Sequence, residues 1–146
     1  MKVKGPGIEP SKSSGSGGGS APRLDGTTFT DSIRTAKRSI FDGELKNMLE
    51  QTRRLGDVFL KSPDESKMKS YKQAIKEYLQ RASRELFSLK QETGTPSQGQ
   101  QKVFQLIETV DAEVDALTKE TLQKDKALQL LGSLDDIRGL VMDLIS

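Results

Sequence analysis

The stretch ESKMKSYKQAIKEYLQRASRELFSLKQ, residues 65–91, decides the fold class of this chain. It contains neither Gly nor Pro, and its apolar residues recur at spacings of three and four. At 100° per residue this spacing places them on one side of a helix. The pattern predicts an amphipathic helix roughly 40 Å long, capped at Ser62 or Asp64. Its apolar stripe consists of Met68, Tyr71, Ile75, Tyr78, Leu79, Ala82, Leu86 and Leu89.

Similar spacing on both sides of this stretch predicts three further long helices, over residues 44–61, 100–122 and 125–145. Gly56 lies within the apolar face of the first, and we expect it to allow a neighbouring backbone to come close. No Gly or Pro separates the last two helices. Two arrangements are therefore possible: a turn at residues 123–125, or one long helix with two partners. The change of phase between the apolar stripes favours the turn.

A short leading helix is predicted from Phe29, where apolar residues follow at spacings of four, three and four. They are Phe29, Ile33, Ala36 and Ile40, and we expect Phe41-Asp42-Gly43 to end this helix. No strand-like alternation occurs anywhere. The expected fold is an all-α, up-and-down helical bundle of four main helices plus the short leading helix, forming a single domain over residues 29–146. The Gly/Ser-rich residues 1–28 are predicted to be a disordered tail.

The composition excludes several kinds of chemistry. The chain has no Cys and no His, so catalysis by Ser-His-Asp or Cys-His groups is excluded, as are thiolate and imidazole metal sites. No Gly-rich phosphate-binding loop is present. We therefore expect a protein that is not an enzyme, with no catalytic residues, no metal and no cofactor.

The hydropathy pattern bears on location. The longest apolar run is far shorter than the roughly 20 residues that a membrane-spanning helix needs. The first residues, MKVKGPG, do not form the hydrophobic segment of a secretory signal. We expect a cytoplasmic protein with no membrane association.

Charge is distributed unevenly along the chain. Residues 1–99 are net basic and residues 100–146 are net acidic, although the whole chain has a formal net charge of only +2. This asymmetry predicts that oppositely charged helices pack side by side. The alternative is a bipolar surface that steers a charged partner.

Three segments resemble one known family. They are YKQAIKEYL (71–79), KVF (102–104) through Val110 and Asp111, and IRGLVMDL (137–144). In this order and spacing, residues 40–146 resemble the YaaR-like family of uncharacterised bacterial proteins. The resemblance implies a helical bundle in a bacterial cytoplasm, and it implies no activity.

Two groups of charged residues are candidate sites. Lys69, Lys72 and Lys76 form a basic strip within residues 64–90 that is suited to phosphate groups, which makes a nucleic-acid-associated protein the alternative function. Acidic residues on the same helix, and the lack of aromatic residues between the lysines, argue against nucleic acid and for a solvated helix face. Glu108, Asp111 and Asp115 share a face of the next helix, but a metal ion would need ligands from a second helix as well.

Three residues lie off the main apolar stripes and suggest a partner surface. Phe104 projects away from its stripe, Leu140 lies at the edge of another stripe, and Gly139 lies almost opposite it. We interpret them as a contact surface for another protein or for a second copy of the chain, unless these helices are buried on two sides. The sequence thus favours a non-catalytic protein-interaction or adaptor module whose partner it does not identify.

Overall fold

The computed structural model describes residues 26–94 and 97–145. These residues form four helices and no strands: α1 (Gly26–Lys61), α2 (Glu65–Thr93), α3 (Gln98–Asp115) and α4 (Lys124–Ile145). The predicted all-α bundle is therefore confirmed. Of the predicted tail, residues 1–25 lie outside the described residues, and the rest belongs to α1. The chain divides into two compact units, Met1–Ala36 and Lys37–Ser146.

In the unit Lys37–Ser146, α2 is antiparallel to α1 and α3, and α1 is antiparallel to α4. Lys76 of α2 contacts Asp111 of α3, while Phe87, further along α2, contacts Phe104, which comes earlier in α3. Residues later in α2 contact residues earlier in α3, so the two helices run in opposite directions. The same reversal relates α1 to α2, in Glu44–Arg81 and Lys37–Glu85, and α1 to α4, in Asp42–Arg138 and Arg38–Met142.

Helix α2 begins and ends close to its predicted bounds, with a capping residue at each end. Asp64 caps it by accepting a hydrogen bond from the backbone N–H of Lys67 at 2.7 Å. Gly94 ends it at φ +84°, donating its N–H to the Lys90 carbonyl at 2.8 Å. The predicted stripe is in the core, since seven of its eight members are buried and Leu89 is half-buried against them.

The predicted break at Phe41-Asp42-Gly43 is wrong, because α1 continues through it to Lys61. Gly43 costs about 1 kcal/mol in a helix interior relative to Ala. Phe41 and Leu45 on either side of it are both 0% exposed. Their burial contributes about 1.5–3 kcal/mol each and outweighs the cost of the glycine.

The large apolar residues of the predicted leading helix lie at the surface. Phe29, Ile33 and Ile40 are 65%, 53% and 64% exposed. Within the unit Lys37–Ser146, Ile40 lies about 100° around the helix from Phe41. The core stripe of α1 therefore includes Phe41 and not Ile40.

The predicted turn between the last two helices is confirmed, although it begins earlier than expected. Helix α3 ends at Asp115 and α4 begins at Lys124. Leu117 and Leu122 in the connection are 4% and 1% exposed, so the connecting segment itself contributes to the core. Two packed leucines in an irregular segment explain why its apolar pattern resembled a longer helix.

Gly56 also has a different neighbour from the one expected. A Cβ atom at this position would lie 3.1 Å from Cε1 of the Tyr71 ring, so a side chain and not a backbone occupies the adjacent space.

Candidate interaction surfaces

Two aromatic rings meet on the surface between α2 and α3. Phe87 is 53% exposed, and its ring centroid lies 5.3 Å from that of the half-buried Phe104, with the ring planes tilted by 53°. This geometry is favourable for aromatic pairs and is worth about 0.5–1.5 kcal/mol beyond burial. We call the groove that contains this pair the aromatic groove, and its other lining residues are Lys90, Gln101, Gln105 and Glu108.

In this groove the predicted residue Phe104 lies beside Phe87, which was not among the predicted partner residues. Phe87 follows the buried Leu86 and lies outside the α2 stripe, which is the same off-stripe signal that identified Phe104. That it meets Phe104 depends on the register between α2 and α3.

Gly139 and Leu140 lie in a different groove, between α3 and α4. Leu140 is 42% exposed, and the groove also includes Leu106, Asp136 and Asp143. On α3, Leu106 is two positions from Phe104 and thus about 200° around the helix axis. The structure therefore places the three predicted partner residues in two grooves on opposite sides of α3.

The basic strip is largely engaged within the chain. The Lys76 ammonium lies 2.6 Å from carboxylate oxygens of both Asp111 and Asp115. Lys72 donates to the Asp115 backbone carbonyl at 3.4 Å, close to the negative end of the α3 dipole. The hydrogen bonds that Lys76 donates to both aspartates raise its pKa despite partial desolvation. Of the three candidate lysines, only Lys69 is fully at the surface.

These contacts also account for the acidic residues of α3. Asp111 and Asp115 bind an ammonium group from α2, as the charge asymmetry of the sequence predicted for side-by-side packing. Glu108 instead lies in the aromatic groove. Within residues 26–94 and 97–145, no group of three His, Cys, Asp or Glu side chains is placed to bind a metal ion.

Two further clusters of charge join α1 to the other helices. Arg81 lies 4.9 Å from the centre of the Phe41 ring and pairs with Glu44 and with Glu85, which is 4% exposed. Arg138 pairs with Asp42. Burial would raise the pKa of Asp42, but hydrogen bonds from Lys46 and Arg138 outweigh it and lower that pKa. Each charge here has an opposite partner, so these clusters help to fix the packing of α1 against α2 and α4.

The described residues thus define an all-α helical bundle with grooves on both sides of its third helix. None of its helices, within that part of the chain, is long and apolar enough to cross a membrane. The chain belongs to the DUF327 family of proteins of unknown function, whose model matches residues 8–145. No curated protein and no solved structure matches the chain.

Proposed function

We propose that this protein is a non-catalytic interaction module that binds a partner protein through the aromatic groove. The observation behind the proposal is the exposure of Phe87, 53%, beside the ring of Phe104. An exposed phenylalanine leaves a large apolar area in water, and covering it with a partner would be favourable by about 25 cal/mol per Å².

The composition of the groove suits an apolar side chain of another protein. Its centre is aromatic, while its rim has two glutamine amides, the ammonium of Lys90 and the carboxylate of Glu108. An aromatic centre within a polar rim is the usual anatomy of protein–protein interfaces. The glutamines can donate to and accept from a partner backbone, which would orient a segment whose apolar residue contacts Phe87 and Phe104.

The contacts of the basic strip argue against the alternative function, a nucleic-acid-associated protein. A phosphate would have to displace two carboxylates from Lys76, which lie 2.6 Å away. Of the three candidate lysines only Lys69 is fully at the surface, and one phosphate contact contributes little to nucleic-acid affinity.

We also propose that the chain is a YaaR-like member of its family and acts in a bacterial cytoplasm. The segments at residues 71–79, 102–111 and 137–144 support this assignment.

Site-specific photo-crosslinking tests the aromatic groove as a partner site. A benzophenone amino acid replaces Phe87 in one variant and Val58 in a matched control. Val58 is a similarly exposed apolar residue of α1, at 49%. We expect a protein that crosslinks at position 87 in cells of the native host and not at position 58.

The captured protein is then identified, produced recombinantly and titrated against three chains. Phe87→Ser should weaken binding at least tenfold, the range expected for an aromatic anchor, and Val58→Ser should leave it unchanged. Equal effects of the two substitutions would contradict the assignment of the groove. Crosslinking of position 87 to a second copy of the chain, with dimers in sedimentation, would show that the groove forms a homodimer interface and does not bind a different protein.

A further inference from the structure

A cavity of about 230 Å³ lies between α1 and α4, away from both grooves beside α3. Tyr71 of α2 also lines it. Gly56 and Leu60 line its α1 side, and Lys124, Ala127 and Leu128 line its α4 side. An engineered apolar cavity of about 150 Å³ is large enough to bind benzene. The cavity can therefore accept an aromatic ring with a short side arm.

The lining explains why this space stays open. Gly56 contributes no side chain. A Cβ atom at position 56 would lie 3.1 Å from the Tyr71 ring. Leu128, at 57% exposure, remains at the surface and does not fill the space. The lining is mostly apolar, which favours an apolar ligand body.

Most polar groups of the lining are already satisfied. The Thr52 hydroxyl donates to the Met48 carbonyl at 2.8 Å. Arg53 is bound by Glu50 and Asp57.

Two polar groups of the lining are not satisfied. The Tyr71 hydroxyl is buried and has no hydrogen-bond partner among the described residues, a state that is costly for a buried hydroxyl. Lys124 is exposed, is the first residue of α4, and takes part in none of the ion pairs among the described residues. The free N–H groups at this end of α4 add partial positive charge.

We propose that this cavity binds a small amphipathic carboxylate. Its carboxylate pairs with Lys124, and its ring-sized apolar body fills the space between α1 and α4, against the Tyr71 ring. The site is separate from the aromatic groove, so it does not depend on the proposed partner binding.

Calorimetry and NMR with two probe compounds test the site on the full chain. The probes are 3-phenylpropionate and 3-(4-hydroxyphenyl)propionate, and the uncharged control is 3-phenylpropanamide. We expect both acids to bind once per chain and to shift the resonances of residues 52–60 and 124–131. The amide should bind about tenfold more weakly, because a hydrogen bond to a charged group is lost.

Two variants and a matched control separate this site from binding elsewhere. Ala127→Leu fills the cavity and should abolish binding of both probes while keeping the helical circular dichroism. Lys124→Gln should weaken binding of the acids about tenfold, whereas Lys102→Gln, at an exposed lysine of α3, should not. Binding that survives Ala127→Leu, or the absence of binding at millimolar probe, would overturn the proposal.

Discussion

Tyr71 and Tyr78 lie two turns apart on α2, and both are buried, yet only Tyr78 has a hydrogen-bond partner. Its hydroxyl donates to the Leu134 carbonyl of α4 at 2.5 Å. The Tyr71 hydroxyl has none among the described residues. The two tyrosines occupy equivalent positions in one apolar stripe. Their hydroxyls nevertheless contribute differently to stability, because different helices surround them.

Removing each hydroxyl should therefore have opposite effects on stability. Tyr78→Phe should lower the free energy of unfolding by about 1 kcal/mol, since a buried hydrogen bond is lost. Tyr71→Phe should leave it unchanged or raise it by up to about 1 kcal/mol, since an unsatisfied group is removed. Urea unfolding of the two variants measures the difference, and equal losses would contradict the contacts of Tyr71.

At the scale of the element, α1 is longer than its sequence suggested because its packing overrides a local signal. Gly43 is exposed, and a Cβ atom there would have nothing within 4 Å. Its neighbours Phe41 and Leu45 are in the core. Gly43 therefore destabilises α1 locally but does not end the helix.

Substitution of two glycines tests this interpretation. Gly43→Ala should stabilise the protein by about 1 kcal/mol, because alanine favours the helix. Gly94→Ala should destabilise it by roughly 1–2 kcal/mol, because its φ of +84° is unfavourable for a side chain. Thermal unfolding with circular dichroism compares the two. A loss of stability in Gly43→Ala would indicate that the chain does break there.

At the scale of the whole molecule, the tyrosines report on the integrity of the core, since the chain has only these two. Burial raises the pKa of Tyr71 to about 12. The pKa of Tyr78 is also raised, first by burial and further by Asp135 and Asp42, against the opposing effect of Arg138. Neither phenol should ionise while the bundle is folded at pH 10–11.

The sign of the pH effect follows from these shifts. The folded-state pKa values lie above the unfolded value of about 10, so the unfolded chain loses its protons first. The contribution of the tyrosines is full below pH 10. It then falls by about 1.4 kcal/mol per pH unit for each tyrosine as the pH rises from 10 towards 12.

An alkaline titration checks this prediction. Absorbance at 295 nm should stay flat to about pH 11 and then rise together with the loss of helical circular dichroism. A chain in denaturant should titrate near pH 10. Tyrosinate appearing at pH 10–11 in a chain with unchanged circular dichroism would show that the rings are accessible.

The sequence by itself determined the helical class, the extent of α2 and the presence of a turn before α4. It did so because the spacing of apolar residues and the chemistry of caps are local properties, as at Asp64 and Gly94. The lysine and aspartate residues also predicted contact between oppositely charged helices.

Only the tertiary structure decided which apolar residues face the core and which groups meet. Phe41 became a core residue and Ile40 a surface residue because neighbouring helices cover one side of α1 and not the other. Phe87 met Phe104, and Lys76 met Asp111, through the register between α2 and α3. Register depends on the packing of the whole bundle, so no local pattern of residues contains it.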